Sequence, residues 1–121
     1  MKLNQFDIIL VNLNPTKGSE QKGENRPCLI LQTNAVSDFG RTTLIAPLTT
    51  QKISKIYPYE VLVISDDINN LIATSKIKLD QIRVIDKSKI IKKQGKLKIS
   101  EIEKIDQALK NIFDLNYDFR E

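Results

Sequence analysis

The sequence predicts a small, mainly β fold: a curled antiparallel sheet or barrel followed by one amphipathic helix. Three observations lead there. Short apolar runs recur, with proline, glycine or Asp-Asn turn chemistry at their ends. The hydrophobic period changes once, after Gly95, from strand-like to helical. No long helices alternate with the runs, which disfavours a doubly wound α/β fold.

Phe6 to Leu13, rich in Ile, Leu and Val, reads as the first strand. Cys28 to Gln32 is the second, and Pro27 can only open it or lie at an edge, because it has no N–H for a ladder. Thr33 to Arg41 reads as a polar loop. Thr42 to Ala46 is a third strand, stopped by Pro47. Tyr59 to Ile64 follows Pro58 as a fourth, and Asp66 to Asn70 is a turn. Two short strands are expected near Ile72 to Ser75 and Asp80 to Ile85. Beyond Gly95, Ile99, Ile102, Ile105, Leu109, Ile112 and Phe113 recur at helical spacing. Ser100 and Glu103 fit a capping box at the start of that helix. Its apolar stripe is expected to pack on the sheet.

A chain of 121 residues, 40% of them apolar, suits one domain over residues 1–121 with a real core. Lys plus Arg is 19 and Asp plus Glu is 15, a net charge of +4 that permits an anionic partner without demanding one. No apolar run approaches the roughly 18 residues that span a bilayer. Asp7 interrupts the N-terminal apolar residues, so no signal peptide is read there. Cys28 is the one cysteine, which rules out an internal disulfide. Together these point to a cytoplasmic protein, with Cys28 as a small buried strand residue. The chain has no histidine. Ser-His-Asp and Cys-His nucleophiles and His-based zinc sites are therefore excluded. Acid–base work falls to carboxylates, lysine, tyrosine, arginine or hydroxyls.

Three polar clusters interrupt this frame. Asn14 to Pro27 is far longer than a hairpin turn needs and carries Gly18, Gly23, Lys17, Lys22 and Arg26. It is no P-loop, since Glu24 follows Gly23. Arg26 sits where the loop re-enters the sheet, so by position it is either a clamp for a phosphate or a surface arginine. The second cluster is Thr49-Thr50-Gln51 after the third strand. The third is Leu79 to Val84, where strand alternation puts Gln81 and Arg83 on one face. Basic residues from Lys87 to Lys98 read as solvated surface.

Four stretches together resemble the MazF/PemK family of bacterial toxin endoribonucleases: Asp7 to Gln21, Arg26-Pro27, Ala46 to Gln51, and Leu79 to Asp86. They stand in the family's order and cover most of residues 6–86. The resemblance implies an SH3-like barrel of short antiparallel strands with a C-terminal helix (α+β). It implies a homodimer, a cognate acidic antitoxin, and cleavage of single-stranded RNA without metal or other cofactor. The usual products are a 2′,3′-cyclic phosphate and a 5′-hydroxyl.

Carried over position by position, the catalytic arginine falls on Arg26 and the catalytic threonine on Thr49, with Ser19 and Glu20 assisting. A substrate contact falls on Gln81, and RNA binding is expected also of Lys17, Gln21, Asn34, Thr50, Gln51 and Arg83. Which group takes the 2′-OH proton stays open between Glu20 and Arg26. An arginine is a poor proton acceptor, and it can instead protonate the leaving oxygen. Two positions depart from the family. Glu24 and Asn25 make the first loop one residue longer, and Phe6 stands where glycine is common. Rival readings are a gyrase poison on the same fold and a basic module that binds RNA without cutting it.

Overall fold

The computed structural model describes residues 2–13 and 25–114. Seven strands and two helices follow one another: β1 (Asp7–Asn12), β2 (Asn25–Ile30), α1 (Asn34–Ser37), β3 (Thr42–Thr49), β4 (Glu60–Val63), β5 (Ser75–Lys78), β6 (Arg83–Asp86), β7 (Ile90–Lys96) and α2 (Ile99–Phe113). Every strand pairing is antiparallel. The strand order is β4-β5-β3-β2-β1-β7, with β6 on β3. The expected mainly β class with a C-terminal helix is therefore the one adopted. Among the described residues β4 and β7, at the two ends of the path, do not pair with each other, so the curl is open rather than a closed barrel.

β3 is the spine. Its first half, Thr42 to Ile45, pairs with β6, and its last two residues, Leu48 and Thr49, pair with β5. Pro47 falls between the two ladders, where neither neighbour asks it for an N–H. For that reason it does not stop the strand, and β3 runs on to Thr49. Pro27 likewise lies inside β2, opposite Leu10 of β1, one residue before the β2–β3 pairing begins at Cys28.

Side chains of successive strand residues alternate between two apolar clusters. Ile8, Leu29, Ala46 and Leu48 join one cluster with Val61, Ile77, Ile105 and Ala108. Ile9, Val11, Cys28, Ile30 and Ile45 join the other with Ile85 and Ile90. Helix α2 lies over the first, with Ile102, Leu109 and Ile112 packed against it, as its periodicity requires. Asp114 ends the helix in the left-handed conformation, φ 52°.

Several boundaries differ from expectation. The polar loop after β2 holds the single turn α1. The strand expected near Ile72 begins at Ser75, and Ile72 is fully exposed. A 3-10 turn, Leu79–Gln81, precedes β6, so Gln81 and Arg83 do not share a strand. The helix cap stands two residues earlier than Ser100 and Glu103: the Glu101 carboxylate accepts from the Lys98 N–H at 2.9 Å. The lysine-rich stretch read as solvated surface contains β7, which pairs with β1 through two register shifts. Gly95 is required there, because a Cβ would stand 2.4 Å from the Asn69 carbonyl oxygen. Phe6, in the place of the family's glycine, takes φ 70°, the left-handed region that glycine adopts without strain. Its N–H donates to Ile30 O at 2.8 Å and its ring packs on the α2-side cluster.

Candidate active site

The site grows out of strand register. β2 and β3 pair as Cys28↔Pro47, Leu29↔Ala46 and Ile30↔Ile45. Carried two residues further, that register sets Arg26 opposite Thr49. On the other side of β3, Thr49 pairs with Lys76 of β5, and Lys78 pairs with Glu60 of β4. Residues directly opposite one another share a face. Arg26, Thr49, Lys76, Lys78 and Glu60 therefore lie along one face, the face turned away from α2. Arg26, Thr49, Lys76 and Lys78 line a cleft of ≈ 180 Å³ with Gln51, Lys52 and Gln81. A second depression continues from it past Asn25, Thr50 and Ser75.

Each side chain has a local anchor. The backbone of Arg26 is held in β2 opposite Val11. Its carbonyl accepts the Cys28 thiol at 3.6 Å. Cys28 is fully buried, and burial pushes the thiol up to about 12 against the opposing pull of Arg26 and Arg83, so it is not a nucleophile here. The Thr49 hydroxyl accepts the Gln51 N–H at 3.1 Å. That contact uses an acceptor site and leaves the hydroxyl proton to be donated into the cleft. Among the described residues no carboxylate pairs with Arg26.

Behind the cleft lies a charge network that the sequence reading missed. Glu60 is buried, and its carboxylate meets Lys76 Nζ at 3.0 Å and Lys78 Nζ at 2.9 Å. It also accepts the Tyr57 N–H at 3.0 Å. Burial alone would raise the Glu60 pKa, but the Tyr57 N–H, Lys78 and Lys76 outweigh it and hold the carboxyl below its usual range. The same hydrogen bond lifts the Lys78 pKa. Lys76 also donates to the carbonyls of Lys52 at 3.0 Å and Lys55 at 3.1 Å. The one signal in the sequence was the alternation of Lys76 and Lys78 with the apolar Ile77 and Leu79.

Of the expected site residues, the structure brings together Arg26, Thr49, Gln51 and Gln81, with Thr50 beside them. Arg83 lies opposite Ile45 and lines a neighbouring depression with Asn12 and Leu13. Asn34 does not join the cleft. Its amide is committed to the N-terminal segment, accepting the Gln5 N–H and donating to Asn4, each at 2.8 Å. It lines a separate cavity with Ser37, Thr43 and Lys87. Lys17, Ser19, Glu20 and Gln21 lie outside the described residues.

This cleft, lined by an arginine and a threonine, can be set beside known proteins. Endoribonuclease MazF9 of Mycobacterium tuberculosis is 31% identical over 117 residues, covering 93% of this chain and 98% of that protein. Endoribonuclease EndoA of Bacillus subtilis is 32% identical over 109 residues, covering 90% and 92%. A mycobacterial endoribonuclease solved in complex with its cognate antitoxin superposes with a TM-score of 0.77 at 19% identity, over 97% of this chain and all of that one. The family profile described as PemK-like, MazF-like toxin of type II toxin–antitoxin system matches residues 4–113. Sequence, fold and the clustering of Arg26 with Thr49 thus agree, and the chain belongs to the PemK-like, MazF-like toxin family of type II toxin–antitoxin systems.

Proposed function

We propose that the cleft between Arg26 and Thr49 cuts single-stranded RNA, using the RNA's own 2′-hydroxyl as nucleophile. The carrying observation is that Arg26 and Thr49 line one basic cleft together. The 2′-oxygen loses its proton and bonds to the adjacent phosphorus. The bond from phosphorus to the 5′-oxygen breaks, leaving a 2′,3′-cyclic phosphate and a 5′-hydroxyl. Charge builds on the non-bridging oxygens in between. Arg26 meets it with a planar guanidinium, and Thr49 with its free hydroxyl proton. We assign the base to Glu20, because an arginine holds its proton too tightly to accept another at neutral pH. The leaving oxygen takes its proton from Arg26 or from water. Ser19 holds the same phosphate. Lys17, Gln21, Thr50, Gln51, Gln81 and Arg83 contact flanking nucleotides. All of these steps are chemistry of side chains and RNA, with no bound metal.

In the cell we place the protein in the cytoplasm as a homodimer of one-domain chains, cutting messenger RNA and arresting growth until a cognate acidic antitoxin covers the cleft. Type II family membership supports the antitoxin, and the basic cleft suits an acidic segment.

The test uses purified wild type, Arg26→Ala and Thr49→Ala on varied single-stranded RNA in the presence of EDTA. Wild type should cut at a short consensus and leave cyclic-phosphate ends. RNA with a 2′-deoxy nucleotide at the scissile position should stay whole. An Arg26→Ala protein that cuts as fast as wild type overturns the mechanism.

A further inference from the structure

Between Thr49 and β4 the chain makes an excursion, residues 50–59, that carries two tyrosines. The rings of Tyr57 and Tyr59 lie parallel, with centroids 5.5 Å apart and planes 7° from each other. Neither ring belongs to an apolar cluster, and Tyr57 is 43% exposed. Lys55 Nζ stands 5.3 Å and Lys76 Nζ 5.8 Å from the Tyr57 centroid. The pair is anchored from below. The Tyr57 N–H donates to buried Glu60, and Lys76 ties down the carbonyls of Lys52 and Lys55. Lys76 also lines the catalytic cleft and pairs with Thr49. One lysine side chain therefore joins the cleft to the aromatic stack.

We propose that Tyr57 and Tyr59 form a base-stacking platform for an unpaired nucleotide flanking the scissile phosphate. Such a platform suits single-stranded RNA for three reasons. Every base has a π-face, so parallel aromatic rings bind a splayed base in any sequence context. The exposed ammonium of Lys55 beside the ring draws the attached phosphate. The anchored backbone holds the rings ready, so binding orders little. Lys55, on the exposed rim, can swing aside to admit the base. This inference rests on the reading of the cleft as an RNA-cutting site.

The experiment compares wild type, Tyr57→Ala and Tyr57→Phe on a single-stranded RNA bearing the mapped cut site. A second set of RNAs carries an abasic residue at each flanking position in turn. Tyr57→Ala should lower kcat/KM by about 5- to 150-fold, chiefly through KM, while Tyr57→Phe leaves it nearly unchanged. At one flanking position the abasic RNA should slow wild type by a similar factor and slow Tyr57→Ala no further. If Tyr57→Ala cuts as well as wild type, or if its loss adds to that of the abasic residue at every position, the platform is overturned.

The chain has no tryptophan, so Tyr57→Trp supplies a lone indole that reads binding even if the alanine variant fails to fold. Its fluorescence should be quenched by intact RNA and not by RNA abasic at the identified position. Equal quenching by both, or none, also overturns the platform. Failure of wild type to cut any RNA overturns the reading of the cleft instead.

Discussion

Replacing Glu60 by glutamine should strip the cleft of the charge that holds its rear wall. The residue is 5% exposed, and Lys76, its partner at 3.0 Å, has a side chain only 4% exposed. Glutamine keeps the shape but removes the negative charge, and its amide nitrogen turns a donor toward an ammonium. Removing one partner of a buried ion pair costs about 3–5 kcal/mol, since the other charge is left without compensation. Lys76 keeps the Lys52 and Lys55 carbonyls, so the lower end, about 3 kcal/mol, is expected. At roughly 4 °C per kcal/mol for a chain of this size, Tm should fall by about 12 °C.

The pH dependence gives a second reading of the same pair. The folded Glu60 pKa lies below its unfolded value. Its stabilisation is thus present above the unfolded pKa, near ~4.3, and is lost as pH falls through the folded pKa. Wild type should lose Tm in acid partly for this reason, and Glu60→Gln, which has no such proton to take up, should lose less. Melting curves by circular dichroism at neutral and acid pH measure both effects. The argument fails if the two proteins melt together at neutral pH, or if the gap between them does not narrow in acid.

Thr49→Val keeps the shape of the strand end but removes the hydroxyl. It should lower kcat about 10²- to 10³-fold with an unchanged melting curve, whereas Thr49→Ser should retain most activity, as measured by single-turnover cleavage. Gly95→Ala drives a methyl group to within 2.4 Å of the Asn69 carbonyl, so backbone must move. A loss of about 1–3 kcal/mol is expected, seen as a lower urea midpoint; an unchanged midpoint would contradict the close packing of β7 on that turn. The Cys28 thiol, buried and raised to about 12, should resist a disulfide reagent at mildly alkaline pH and react at once in guanidinium chloride. Equal rates in both conditions would show that the strand opens freely.

The parts of this fold that could be read from the sequence are those whose signal is local. β1 is an unbroken apolar run buried on both faces, and α2 carries a long amphipathic period, so both are plain. β7 was hidden because its register shifts break the alternation and Lys92, Lys93 and Lys96 dominate its composition. β3 seemed to end at Pro47 because the cost of a proline depends on which neighbour a strand has at that residue, and sequence does not show neighbours. The site divides in the same way. Arg26 and Thr49 were found through motifs. Their apposition, and the network of Glu60, Lys76 and Lys78, depend on pairing between β2 and β3, β3 and β5, and β5 and β4. That Asn34 lines a separate cavity was not legible, because a polar loop residue says nothing about which cavity its amide will face.

The proline beside Arg26 gives the candidate site its shape. At Cys28↔Pro47 the sheet reaches a fork: β2 continues on β1, while β3 crosses to β5. Pro27 stands at the crotch of this fork and has no N–H to donate across to β3, so the ladder stops there. The tines are therefore parted, and Arg26 and Thr49 lie on either side of the opening. Restoring the amide proton with Pro27→Ala would let the zipper run on and narrow the opening of the cleft. The width of the cleft mouth is thus written in one missing backbone hydrogen rather than in the side chains around it.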